Sequence, residues 1–162
     1  MDYSDEISEF TRLSREYCDW CESRRGGGEH QLHYEATRHL ARLYAAAIEL
    51  PDVELGEADE APDCDVPDDL RARVLRSFAD LPFQYYREIF DPDVGKDEDA
   101  VVGDLADDLT DIYIDLKRGL MILETGTETA AVFDWRCSFG FHWGRHATSA
   151  LRALHCYDLP DQ

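Results

Sequence analysis

A chain of 162 residues, 44% of them apolar, is long enough for one domain with a core of its own and too apolar to be disordered throughout. Its formal net charge of −20 repels phosphate backbones and anionic headgroups, which argues against nucleic-acid and membrane-surface binding; the densest basic spot is Arg24-Arg25. Apolar runs such as Leu43 to Ile48 are too short to cross a bilayer, and the start Met1 to Glu6 lacks the basic and apolar parts of a signal peptide, so a cytoplasmic address is expected.

The pattern predicts five helical segments and no strand, hence an all-α bundle in one domain over 1–162. The first segment runs from about Ser4 to Arg24, with Ile7, Phe10, Leu13, Tyr17, Trp20 and Cys21 at helical spacing. The three glycines at 26–28 end it, because they lose too much backbone entropy to stay helical. The second runs from about Glu29 to Leu50, with Leu32, Ala36, Leu40, Leu43 and Ala47 on one face, and Pro51 stops it. Residues 51–69 hold nine acids, three prolines and no Lys or Arg, and read as an acidic loop or linker. A third helix opens near Leu70, behind Pro67-Asp68-Asp69, and Pro82 interrupts it. Tyr85 to Phe90 reads as a further helical piece, followed by a turn-rich stretch. The fourth helix is expected over about 101–124 and the fifth over about 127–156. Two long helices joined by a short turn should pack antiparallel.

Five cysteines in a cytoplasmic chain disfavour disulfides. Cys18 and Cys21 form a C-x-x-C, and with His30 and His33 a string that resembles a zinc site with too short a gap. Both thiols lie in the first helical pattern, so packed, inert cysteines are the expectation, with zinc or redox chemistry as the alternative.

The last sixty residues carry the chemistry. On the fourth segment Asp104, Asp107, Asp108, Asp111 and Asp115 form a stripe beside the apolar stripe of Leu105, Leu109, Ile112, Leu116, Leu120 and Leu123. Asp108 and Asp115 lie nearest the apolar boundary. Carboxylates stacked at i and i+4 repel one another, so a cation or donor should face them. On the fifth segment Trp135, His142 and His146 share a broad apolar face, with Trp143 nearby. An i, i+4 histidine pair suits metal ligation, because both rings can converge on one ion. Asp108, Asp111, His142 and His146 could hold Mg²⁺, Mn²⁺ or Zn²⁺, with Asp115 as a further oxygen donor and His33 or His39 as a further nitrogen. The competing reading is structural: an Asp–His pair satisfies a buried ring and fixes helix register.

The runs Leu43 to Pro51, Ile89 to Pro92, Leu105 to Leu116, His142 to His146 and Ala150 to His155 occur in that order. Together they resemble the bacterial domain-of-unknown-function family 5063 from about Phe10 to His155. The resemblance implies a compact all-α domain and no activity. Two function classes follow from the residues. In one, a non-enzymatic binding or accessory module uses the groove between the last two helices, lined by Asp108, Asp111, Asp115, Trp135, His142, Trp143 and His146, for a basic protein partner or a small ligand. In the other, a divalent-metal-dependent hydrolase acts on a phosphate-containing substrate.

Overall fold

The computed structural model describes residues 3–24, 28–57, 59, 62–97 and 99–157. Six helices and one two-stranded sheet follow in chain order: α1 Ser4–Ser23, α2 Glu29–Glu49, α3 Asp68–Ser77, β1 Tyr85–Glu88, β2 Val101–Asp104, α4 Leu105–Thr125, α5 Glu128–Phe141 and α6 Trp143–Cys156. The first two helices and the third sit where periodicity puts them. Of the glycines expected to end the first, Gly26 and Gly27 lie outside the described residues. Residues 51–57 and 62–67 carry no helix or strand, as the acidic linker predicts. Asp59 accepts a hydrogen bond from the Thr127 hydroxyl at 2.8 Å, which ties this loop to the α4–α5 turn.

Three expectations are corrected. Residues 85–88 are a strand, and 101–104 are its antiparallel partner rather than the first turn of a helix, with Tyr86 opposite Gly103 and Glu88 opposite Val101. The adjacent aromatics Tyr85-Tyr86 on one strand and the adjacent β-branched Val101-Val102 on the other favour the pleated surface over a helix. The helix after them starts at Leu105 because Asp104 caps it: its Oδ1 accepts from the amides of Ala106 at 3.0 Å and Asp107 at 3.3 Å. The fifth predicted helix is two, broken at His142, whose backbone leaves the helical region (φ −133°, ψ −90°). Gly144 permits the break, since a Cβ there would lie 2.3 Å from the Phe139 carbonyl oxygen.

Helix α4 runs antiparallel to the α5–α6 pair. Going up α4, Asp108 meets His146, Asp115 meets His142 and Arg118 meets Asp134. One apolar core draws on all six helices, including Phe10, Leu13, Leu40, Val74, Leu109, Ile112, Trp135 and Leu154. Trp135 lies edge-on to Phe10 at 5.1 Å and packs over Gly119, where a Cβ would come within 2.0 Å of its indole nitrogen. Tyr17 donates to the Leu109 carbonyl at 2.8 Å, so α1 is keyed to α4 by a satisfied buried hydroxyl. No helix among the described residues is long and apolar enough to cross a membrane.

Candidate metal centre

The α4 stripe and the helix break meet. His142 donates from Nδ1 to Asp115 Oδ2 at 2.7 Å, and His146 donates from Nδ1 to Asp108 Oδ1 at 2.8 Å. Asp108 and Asp115 are buried and Asp111 is partly so. With both Nδ1 atoms committed, each neutral ring carries its free lone pair on Nε2. The two rings stand edge to face with centroids 4.9 Å apart. His146 Nε2 lies 3.7 Å from Asp111 Oδ2. Among the described residues, Asp111, His142 and His146 form one group whose ligand atoms all fall within 4.8 Å of one another. Bonds of about 2.0–2.2 Å to a tetrahedral ion set its ligands roughly 3.3–3.6 Å apart, so the group closes on one ion by drawing in about an ångström.

The carboxylates behind the rings are themselves held. Asp115 has Arg118 at 3.6 Å, and Arg118 in turn grips Asp134 with a donor at 3.0 Å. Tyr86, on the hairpin, donates its hydroxyl to Asp108 Oδ2. A carboxylate that orients a ligating imidazole through the far nitrogen is the usual support of a metal-bound histidine. Burial, followed by Asp107, pushes the Asp111 carboxyl above its usual value, and a cation beside it would relieve that. The hydrogen bond to Asp108 holds His146 above its usual value, against desolvation.

The sequence-derived residues divide. Asp108, Asp111, Asp115, His142 and His146 come together, with Asp108 and Asp115 turned to Nδ1 rather than toward a shared ion. Trp135 and Trp143 are fully buried in the core and line no groove; each indole donates to a backbone carbonyl, at 3.2 and 3.3 Å. His33 is tied to the Leu154 carbonyl oxygen at 2.7 Å, and His39 packs against Tyr17 and Trp20, so neither joins the site. Cys18 and Cys21 are buried, and desolvation raises both thiols, which fits packed rather than reactive cysteines. Sequence reasoning missed Tyr86, because a helical reading of 85–90 points it elsewhere; the strand-favouring pairs Tyr85-Tyr86 and Val101-Val102, one on each strand, are the signal that finds it.

Tyr86 reaches Asp108 only because its strand partner is glycine. A Cβ at Gly103 would lie 2.5 Å from Tyr86 Cζ. Tyr86→Phe should therefore lower stability by about 1.5–3 kcal/mol, the worth of a hydroxyl donated to a charged acceptor. Gly103→Ala should cost at least as much. In the double variant the two costs should fail to add, because the hydroxyl that Gly103 seats is already gone; urea denaturation of the four proteins measures this.

The fold recurs in protein BF1032 from Bacteroides fragilis, whose crystal structure superposes with a TM-score of 0.79 over 99% of this chain and 98% of that one, at 22% sequence identity. That likeness shows a shared fold. No curated protein matches this chain. The family described as "Domain of unknown function (DUF5063)" matches residues 1–158, and the protein belongs to it.

Proposed function

We propose that this protein is a binding module whose ligand is a divalent transition-metal ion, held by Nε2 of His142, Nε2 of His146 and the carboxylate of Asp111. The observation that carries the reading is the orientation of both rings by separate buried carboxylates, with a third carboxylate beside the nitrogens left over. A site with two imidazoles and one carboxylate suits Zn²⁺, Mn²⁺, Fe²⁺ or Ni²⁺ better than Mg²⁺, which prefers oxygen ligands and keeps its waters.

A Mg²⁺-dependent phosphohydrolase has less support. Two of the carboxylates such chemistry needs are spent on orienting histidines, and Glu88, Asp104 and Asp107 on the adjoining wall repel a phosphate. A basic protein partner also has less to bind than the sequence suggests, since Asp108 and Asp115 face histidines and Asp111 has Arg71 at 3.6 Å.

Isothermal titration of chelator-treated protein should show one Zn²⁺ or Mn²⁺ per chain and weaker Mg²⁺ binding. A preference for Mg²⁺, or heat from none of the three, contradicts the reading. Its pH dependence has a definite sign. His146 is raised in the folded state, so its ion pair with Asp108 contributes fully below about pH 6.5 and fades as pH rises through the raised value. Metal binding needs the neutral ring and runs the other way. Without metal, the melting difference between wild type and His146→Gln should shrink from about pH 5.5 to about pH 8.5. With Zn²⁺ it should grow over the same span.

A further inference from the structure

The hairpin places a second feature beside the histidines that the metal reading leaves unused. Glu88 is two residues along β1 from Tyr86, so both side chains leave the same face of the strand. Glu88 is only 9% exposed, and among the described residues its carboxylate makes no hydrogen bond and no ion pair. It sits where three adjoining cavities of about 280, 410 and 610 Å³ meet between the hairpin and α6. Arg87, Arg145 and Arg152 line these cavities without pairing to it. A largely buried side chain whose carboxylate opens onto a cavity and has no protein donor favours a bound cation.

The other walls fit the same occupant. Phe90 and Phe141 flank the 410 Å³ cavity yet remain 68% and 65% exposed, and Tyr86 closes its inner side. Aromatic faces beside a carboxylate attract an organic cation, through the ring quadrupole and a charge-assisted hydrogen bond. Asp108 and Asp104 on the same wall are already engaged, by His146 and by the α4 amides. A metal ion is a poor match for Glu88, which offers a single carboxylate with no second ligand group converging on it. In the 410 Å³ cavity Glu88, Asp104, Asp107 and Asp108 outnumber Arg145 and repel an anion, and a neutral alcohol leaves the charge uncompensated.

We infer that Glu88 is the recognition residue of a small-molecule site for a protonated primary amine with an apolar body, seated between β1 and α6 next to the histidine pair. The site rests against His142 and His146 but takes its charge contact from Glu88 and not from their ring nitrogens, so either assignment can fail alone.

The test uses three probes of one shape, 3-phenylpropylamine, 3-phenylpropan-1-ol and 3-phenylpropionate, titrated into the full chain by amide NMR, both after chelator treatment and with Zn²⁺. The amine should move resonances at 86–90 and 141–149 in both states and bind at least about tenfold more tightly than the alcohol, and the acid should not bind. Glu88→Gln should bring the amine down to the alcohol and melt no lower than wild type, because it removes a charge that has no partner in the protein. Phe141→Ala, at an exposed position that folding does not need, should weaken the amine and the alcohol together. Equal binding of amine and alcohol, no amine binding at about 10 mM, or full amine binding by Glu88→Gln overturns the inference. So does a Glu88→Gln variant that melts well below wild type, since Glu88 then has a structural partner. Loss of Zn²⁺ binding with amine binding intact overturns the metal reading alone.

Discussion

Saturating Zn²⁺ should raise the melting temperature of the wild-type chain by about 5–10 °C, and His146→Ala should abolish that rise. An ion at about 100 times its dissociation constant adds about 2.7 kcal/mol to folding. A chain of this length moves by roughly 2–4 °C per kcal/mol. His142→Ala and Asp111→Asn should behave like His146→Ala, because each removes a ligand. Asp108→Asn and Asp115→Asn should differ from them. They keep all three ligands and lose only the group that orients a ring, so metal affinity should fall by about 10–100-fold without vanishing. If the pairs serve helix register alone, all five variants lower the apo melting temperature and none changes the response to Zn²⁺. Melting curves with and without metal on the six proteins separate the two accounts.

The second large effect is steric and lies at the break between α5 and α6. Gly144→Ala should destabilise by about 3 kcal/mol or more, toward or beyond the upper end for overpacking, because the new methyl meets a backbone carbonyl at 2.3 Å rather than a side chain that can move. It should also cost the Zn²⁺ response, since the break sets where His142 points. Gly140, four residues earlier, is the control. A Cβ there meets nothing within 4 Å, so Gly140→Ala should stabilise by up to about 1 kcal/mol through helix propensity and leave metal binding intact. Equal effects from the two alanines would mean that the break is not built on Gly144.

The two glycines also mark where a sequence stops being readable. Helical projection treats 127–156 as one rod and puts His142 and His146 on a common face. The break at His142 changes the direction of the first ring, yet both still reach α4, because Asp108 and Asp115 are seven residues apart, two turns of one face. The acid stripe was legible for the same reason: on α4 the boundary between Leu109, Ile112 and Leu116 and the aspartates is sharp. What projection cannot supply is depth and atom choice. It placed Trp135 and Trp143 near the groove, where burial puts them in the core, and it offered Asp108 as a metal ligand, where the Nδ1 contact makes it the support of one. The hairpin was missed for a different reason. Four-residue strands carry too few residues for a period to show, and the pairing of Tyr86 with Gly103 spans a long turn. Tyr86 and Glu88, the two residues that bring β1 to the histidines, were therefore invisible as a pair.

Long-range ¹H–¹⁵N correlation of the six histidine side chains, recorded before and after one equivalent of Zn²⁺, tests the metal centre most directly. The account predicts that His142 and His146 alone change, each protonated at Nδ1 and coordinated through Nε2, while His33 and His39 keep their resonances. Coordination through Nδ1, a response from other histidines, or no response to Zn²⁺ at any ring contradicts it.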